Sequence, residues 1–247
     1  MKSHKNIKIK IKRSGGKLTM SQYERGEHSI VESYKNMRTS LIINKNIKTI
    51  LVTSSDMDEG KTTVTSSLAK CFSELEDKKV LLIDCDLRKP SIHRQFKLDN
   101  EKGLIDVITD GNFKEYIKNN GKLDILTTGK KTKKPAELLE SDLMKNFIEE
   151  VKEYYDYIFI DSPPVSRVND ACIIAKYIDG TIIVSSSNEV DIDLAKLTKK
   201  RLSKVNANLI GIILNKFKEE DNIYHNYYGY YEEDKKPSRF KFKLKRR

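Results

Sequence analysis

Ser54-Ser55-Asp56-Met57-Asp58-Glu59-Gly60-Lys61-Thr62-Thr63 follows an apolar run and leads directly into a segment of helical spacing. It meets the phosphate-loop pattern GxxxxGK[ST], except that Ser55 stands at the first glycine. Between a strand and a helix, such a loop brings unpaired N–H groups and the positive end of the helix dipole to one point, where they can cradle phosphate. Lys61 is placed to reach the β- and γ-phosphates, and the Thr62 hydroxyl to ligate Mg2+. The expected nucleotide contacts are therefore Ser55, Asp56, Met57, Asp58, Glu59, Gly60, Lys61, Thr62 and Thr63.

Outward from this loop, short apolar runs alternate with helical patterns. The strands expected are Thr49–Thr53, Val80–Ile83, Asp124–Leu126, Tyr157–Ile160, Thr181–Val184 and Leu209–Leu214. They are rich in Ile, Val and Leu without polar alternation, as strands covered on both faces must be. Helices are expected near Ser29–Ile43, Lys61–Leu75, Ala136–Lys152, Val168–Lys176 and Ile192–Val205. This order predicts an α/β fold, a doubly wound and mainly parallel sheet in one domain. The expected division is a basic flexible arm at 1–28, a nucleotide-binding domain at 29–218, and a tyrosine-rich, then basic tail at 219–247.

Two strand ends carry carboxylates: Leu82-Ile83-Asp84-Cys85-Asp86 and Phe159-Ile160-Asp161. In a parallel sheet these positions face the crevice where ligands bind. Asp84 and Asp86 share one side of an extended chain, so both can face one metal and its phosphates. Clustered carboxylates repel one another unless a cation sits among them. Thr62, Asp84, Asp86 and Asp161 are thus the candidate magnesium set.

The formal charge of +11 suggests a nucleic-acid or membrane binder until its distribution is counted. Residues 1–17 hold seven Lys/Arg and no acid, and residues 235–247 hold eight and no acid, which leaves about −4 for residues 18–234. A broadly basic nucleic-acid-binding body is thereby excluded. Three cysteines without CxxC spacing argue against a disulfide framework or zinc site. No apolar run approaches the roughly 18–20 residues of a membrane helix, and the N-terminus lacks a signal-peptide h-region, so a cytoplasmic protein is expected.

With these residues in hand, the sequence resembles the bacterial tyrosine kinases, the cytoplasmic kinases of capsule and exopolysaccharide synthesis. The resemblance rests on the phosphate loop at 55–62, on LLIDCDLRKP at 81–90 and on IFIDSPPV at 158–165, and it covers about residues 29–231. It implies a P-loop NTPase fold of the deviant-Walker, ParA/MinD-like type, with ATP and Mg2+ as cofactors. It also implies transfer of the ATP γ-phosphoryl group to tyrosine, with Lys61, Asp84, Asp86 and Asp161 catalytic. By the same resemblance Asp84 activates the tyrosine hydroxyl and Asp86 assists metal placement, with the reverse assignment left open, and Asn215 is a candidate for contact with the nucleotide base. Two departures stand out. Met57-Asp58 replaces the family's usual Pro-Gly, and Asp58 with Glu59 is expected to bring negative charge to the phosphate loop.

Tyr224, Tyr227, Tyr228, Tyr230 and Tyr231, bordered by Glu219, Glu220, Asp221 and 232–234, read as phosphoacceptors. The flanking acids oppose nucleic acid as a partner. Glu32, Lys35 and Arg38 resemble the family's oligomerisation motif, which implies a homo-oligomeric ring. The resemblance also implies a membrane activator of polysaccharide co-polymerase type, a cognate tyrosine phosphatase, and a peripheral place at the inner face of the cell membrane. The rival from another class is a ParA/MinD-like positioning ATPase, whose signature lysine early in the loop is replaced by Asp56. A metal-cluster carrier ATPase would need the absent CxxC, and a catalytically silent nucleotide sensor would not need Lys61, Thr62 and the three aspartates together.

Overall fold

A computed structural model describes residues 8–10, 20–43, 46–187 and 191–216, with side chains from Ile30 onward within these. The tyrosine cluster and the basic tail lie outside the described residues. Among these residues eight strands form one sheet: β1 (Lys8–Lys10), β2 (Thr49–Ser54), β3 (Val80–Asp84), β4 (Lys118–Asn120), β5 (Leu123–Leu126), β6 (Tyr157–Asp161), β7 (Gly180–Ser186) and β8 (Leu209–Asn215). Their order is β1-β8-β7-β2-β6-β3-β5-β4, parallel throughout except for the β4–β5 pair. β2 lies between β6 and β7, so the chain winds to one side of β2 and later to the other, which opens the crevice at the carboxyl ends.

Apolar residues fill both faces. On one, Tyr34, Met37 and Leu41 of α1 (Met20–Ile42) and Val64, Leu68 and Phe72 of α2 (Lys61–Ser73) cover Ile50, Val52, Leu82 and Phe159. Ile92 of α3 (Ile92–Phe96) joins them. On the other face, Leu51, Leu81, Ile83, Ile158 and Ile160 meet α4 (Leu104–Asp110), α5 (Pro135–Glu140), α6 (Asp142–Tyr154), α7 (Asp170–Ile174) and α8 (Ile192–Lys204). Strand residues alternate between these two cores, and because both sides are apolar the alternation leaves no polar trace in the sequence.

The doubly wound sheet is as expected, and every strand predicted is present, with ends shifted by a residue or two. The short helices α3 and α4 have no counterpart among the expected helices, and three further details differ. The helix expected over Ala136–Lys152 breaks at Ser141, whose backbone is extended and whose Oγ accepts from the Met144 N–H at 3.2 Å. A capping serine competes with helix continuation there. Next, β1 and the first turns of α1 fall within residues 1–28, set aside as a flexible arm. The Lys/Ile alternation of that arm is the period of an edge strand, and lysines on such an edge discourage further pairing. Finally, β4 is the polar tripeptide Lys118–Asn120, which carries no hydrophobic signal and pairs antiparallel with β5.

Aspartates stitch the amino-terminal edge of the sheet. Asp179 Oδ2 accepts from the Lys48 and Thr49 N–H groups at 3.0 and 2.9 Å, and Asp156 Oδ2 from the Lys79 N–H at 2.9 Å. Burial works against the Asp179 charge, but these N–H donors and Lys152 prevail and hold its carboxyl below the usual range. A depressed folded pKa stabilises above the unfolded value and is lost as pH falls through the folded one. Asp179→Ala should therefore cost about 2–3 kcal/mol at pH 7 by chemical denaturation. The difference from wild type should shrink below about pH 4, where the aspartate protonates.

Candidate active site

The phosphate loop turns on two residues in the left-handed region, Asp58 at φ 59° and Gly60 at φ 89°. Glycine adopts that conformation freely and aspartate tolerates it, so the Met57-Asp58 departure keeps a tight loop. Gly60 caps α2, and a Cβ built on it would run into the Asn215 side chain. Asn215, at the end of β8, donates from Nδ2 to the Glu59 carbonyl at 2.9 Å, a contact to the loop backbone rather than to open crevice.

Glu59 departs from its expected place. Its side chain turns into the protein, and the residue is only 7% exposed. Oε2 accepts from the Asp56 N–H at 2.8 Å, while Oε1 accepts from Ser185 Oγ and the Ser186 N–H at 3.2 and 3.3 Å. It braces the loop against β7 instead of lining the phosphate position. Asp58 and Met57 are exposed, and so is Thr63. The Ser55 hydroxyl is buried, without a partner among the described residues. Glu59→Ala should weaken nucleotide binding about tenfold by releasing the loop, and Glu59→Gln should retain most of the affinity, both read by fluorescent-nucleotide titration.

At the carboxyl ends of β3 and β6, Asp84 and Asp161 stand side by side in register. Lys61 Nζ lies 3.2 Å from Asp86 Oδ2, and Thr62 Oγ1 donates to Asp161 Oδ2 at 2.7 Å. Thr65 Oγ1 also reaches Asp161, and Ser91 Oγ reaches Thr62. The five residues expected to carry the chemistry, Lys61, Thr62, Asp84, Asp86 and Asp161, are thus brought together. Their surroundings differ. Asp84 is fully buried, with Oδ2 accepting from the Ser91 and Ile92 N–H groups and Oδ1 from the Asp86 N–H. Asp86 accepts from the Lys89 N–H with Oδ1 and directs Oδ2 to Lys61.

The electrostatics follow from burial among like charges. Burial pushes the Asp84 carboxyl above the usual range, and Asp161 adds to this. Burial also raises Asp161, against the pull of Lys61 and the Thr62 hydroxyl. Lys61 is disfavoured as a cation by burial, yet Asp161 and Asp86 outweigh that and raise its pKa above 10.5. Among the described residues no group of three His, Cys, Asp or Glu could enclose a metal alone. Magnesium does not require that, since it keeps waters and takes phosphate oxygens beside one or two protein ligands. The Thr62–Asp161 pair, within a cluster short of positive charge, suits such an ion.

Residues distant in sequence complete the loop's support. Arg167 donates from Nε to Asp56 Oδ1 at 2.8 Å and from Nη2 to Oδ2 at 3.3 Å, and this pair holds the Asp56 carboxyl below its usual range. The Val165 and Ser166 N–H groups donate to the Ser54 and Ser55 carbonyls. Arg88 and buried Asp170 form a two-pronged pair at 2.8 and 3.0 Å. None of these pairs announces itself by spacing. On α1, Glu32 and Lys35 are exposed 4.0 Å apart, whereas Arg38 donates to the Cys71 carbonyl at 2.6 Å and is partly committed within the chain.

Residues 47–209 match an AAA domain family. Over 204 residues the chain is 37% identical to the tyrosine-protein kinase YwqD of Bacillus subtilis, covering 80% of this chain and 86% of that one. The kinase domain of the Escherichia coli tyrosine kinase ETK superposes with a TM-score of 0.72 and 31% identity, over 76% of each chain. The chimerical protein CapA2B2 gives a TM-score of 0.77 at 26% identity, over 85% of this chain and 94% of its own. A plasmid partition protein from Borrelia burgdorferi, at 22% identity and a TM-score of 0.55, shares the fold.

Proposed function

The chain belongs to the bacterial tyrosine-protein kinases, and we propose that it phosphorylates the tyrosine cluster Tyr224, Tyr227, Tyr228, Tyr230 and Tyr231 on a second copy of itself. The observation that carries this reading is the Lys61–Asp86 contact at 3.2 Å beside the Thr62–Asp161 pair, a cation and a carboxylate poised at one phosphate position. Phosphoryl transfer needs positioning and charge neutralisation more than covalent help. Lys61 then moves its contact from Asp86 to the transferring group. Asp86, freed, accepts the tyrosine proton as the tyrosine oxygen bonds to phosphorus and the bond to ADP breaks. Asp84 is the poorer base, because its oxygens already accept three backbone N–H groups; its part is to hold Asp86 and the start of α3 in place.

Thr62 and Asp161 would hold Mg2+, which neutralises charge on the phosphates, with Asp86 and Asp84 close behind. Asn215 acts here on loop shape through Glu59 and Gly60. A positioning ATPase is disfavoured by Asp56, which stands where that class carries lysine and pairs with Arg167.

The wider role, regulation of capsular or extracellular polysaccharide synthesis and export, rests on the resemblance. So do a membrane co-polymerase-like activator, a ring of copies joined through Glu32 and Lys35, a phosphatase, and a peripheral place at the membrane. CapA2B2 is by name a chimera of two components, in keeping with a kinase completed by a partner segment. Among the described residues no helix is long and apolar enough to cross a membrane.

The test incubates the full chain, labelled ATP and Mg2+ with a distinguishably tagged Lys61→Met copy, with and without the cytoplasmic segment of the membrane partner, and maps phosphotyrosine. Label on Tyr224–Tyr231 of the inactive copy is expected. Label confined to the active copy would overturn transfer between copies, and free phosphate with unlabelled protein would favour the ATPase.

A further inference from the structure

Although residues 18–234 sum to about −4, residues 88–134 hold twelve Lys/Arg against six Asp/Glu, a net of +6. Much of that excess stands at the carboxyl edge of the sheet, beside the phosphoryl-transfer site. The Ile83–Leu126 register brings Thr127 alongside Asp84 one strand away. Three residues further, the chain enters Lys130-Lys131-Thr132-Lys133-Lys134 and then α5. The start of this loop is pinned, because the Gly129 N–H donates to Asn100 Oδ1 at 3.1 Å and the Gly129 carbonyl accepts from Asn100 Nδ2 at 3.0 Å. Lys89 lies beside the same site, its backbone N–H donating to Asp86 Oδ1.

These cations are not used up within the fold. Lys130 pairs with Glu101 at 3.3 Å on the open surface. Lys89, Lys131, Lys133 and Lys134 are exposed, and no ion pair joins them to a described acid. Holding the like charges of Lys131, Lys133 and Lys134 within four residues without partners is unfavourable, and an anionic ligand would relieve it. The chain itself supplies one of fitting charge: Glu219, Glu220 and Asp221 precede the tyrosine cluster, and Glu232, Glu233 and Asp234 follow it.

We propose that Lys89, Lys131, Lys133 and Lys134 form an acceptor dock that selects tyrosines flanked by Asp and Glu, its ligand being residues 219–234 of a second copy. The proposal rests on the kinase reading for the place of the reacting phosphate. With Lys89 adjoining Asp86, acids held on the dock would present a nearby tyrosine hydroxyl to that carboxylate. Rim charges of this kind act on encounter and binding and are screened by salt, so they belong in the KM for acceptor rather than in kcat.

The experiment uses the full chain, ATP and Mg2+, with two fluorescent synthetic peptides: residues 219–234, and the same sequence with its six acids changed to Gln or Asn. Binding is read by anisotropy and turnover by phosphotyrosine. The triple variant Lys131→Glu, Lys133→Glu, Lys134→Glu should raise Kd and KM for the acidic peptide about tenfold. Its kcat, its KM for ATP and its constants for the neutral peptide should stay within about twofold, and the matching Gln variant should fall between. Wild-type preference for the acidic peptide should fade by 0.5 M NaCl.

Equal binding of the two peptides by wild type, or unchanged Kd in the triple variant, would overturn the dock. Loss of binding to phosphatidylserine vesicles or to a 20-nucleotide single strand, with peptide binding unchanged, would overturn it in favour of that ligand. Charge-dependent binding without phosphotyrosine on either peptide would uphold the dock and overturn the kinase reading.

Discussion

Lys61→Met is expected to lower phosphotransfer by about 10³-fold in kcat while the protein stays folded. Among the described residues Lys61 is the one cation reaching Asp86, at 3.2 Å, and it adjoins Thr62, so its loss removes the charge that would meet the transferring phosphoryl group. It also leaves Asp84, Asp86 and Asp161 without their cation, and the carboxyls of Asp84 and Asp161, already raised by burial, should rise further. Two measurements separate these effects. Single-turnover transfer from ATP reads the catalytic loss, and thermal unfolding with and without Mg-ADP reads the structural one. A variant that transfers phosphate within tenfold of wild type would remove Lys61 from the mechanism. Arginine should not rescue it, because a planar fork does not replace a compact ammonium in an enclosed site.

Gly60→Ala carries the second large effect, and its cause is steric. Gly60 sits at φ 89°, where an L residue is strained by about 1–2 kcal/mol. Its new methyl would also meet Asn215 Nδ2, which already donates to the neighbouring Glu59 carbonyl. Loop and Asn215 cannot both keep their places. Nucleotide affinity should fall at least about 30-fold, the equivalent of roughly 2 kcal/mol. Adding Asn215→Ala should recover part of the loss by opening space, but not the part due to backbone strain. Isothermal titration of the single and double variants with Mg-ADP reads the difference, and full recovery would show that strain at Gly60 contributes nothing.

Most of the sheet was legible because its signal is local. Six apolar runs, each closed by a polar or glycine-bearing turn, define six strands, and covered faces demand that composition. The phosphate loop and the strand-end aspartates were legible for the same reason: Lys61, Thr62, Asp84, Asp86 and Asp161 occupy fixed places relative to strand ends. The elements that escaped were short or polar. β4 has no apolar residue, and α3 is a five-residue helix whose first N–H groups are held by Asp84. Charge near the phosphate loop was misjudged at Glu59, because side-chain direction depends on what lies beside the loop.

The sequence by itself determined the fold class, the nucleotide loop and the strand-end carboxylates, since periodicity and spacing are properties of neighbouring residues. Tertiary structure alone decided how they are used. It set Glu59 inward against Ser185 and Ser186, joined Asp56 to Arg167, and placed Asn215 on the loop at Gly60. It tied up Asp84 with three N–H donors and left Asp86 to Lys61. Each of these depends on β2 lying between β6 and β7, and on β3 lying beside β6. Strand order is settled by packing and crossover handedness across the whole chain, so no local pattern records it.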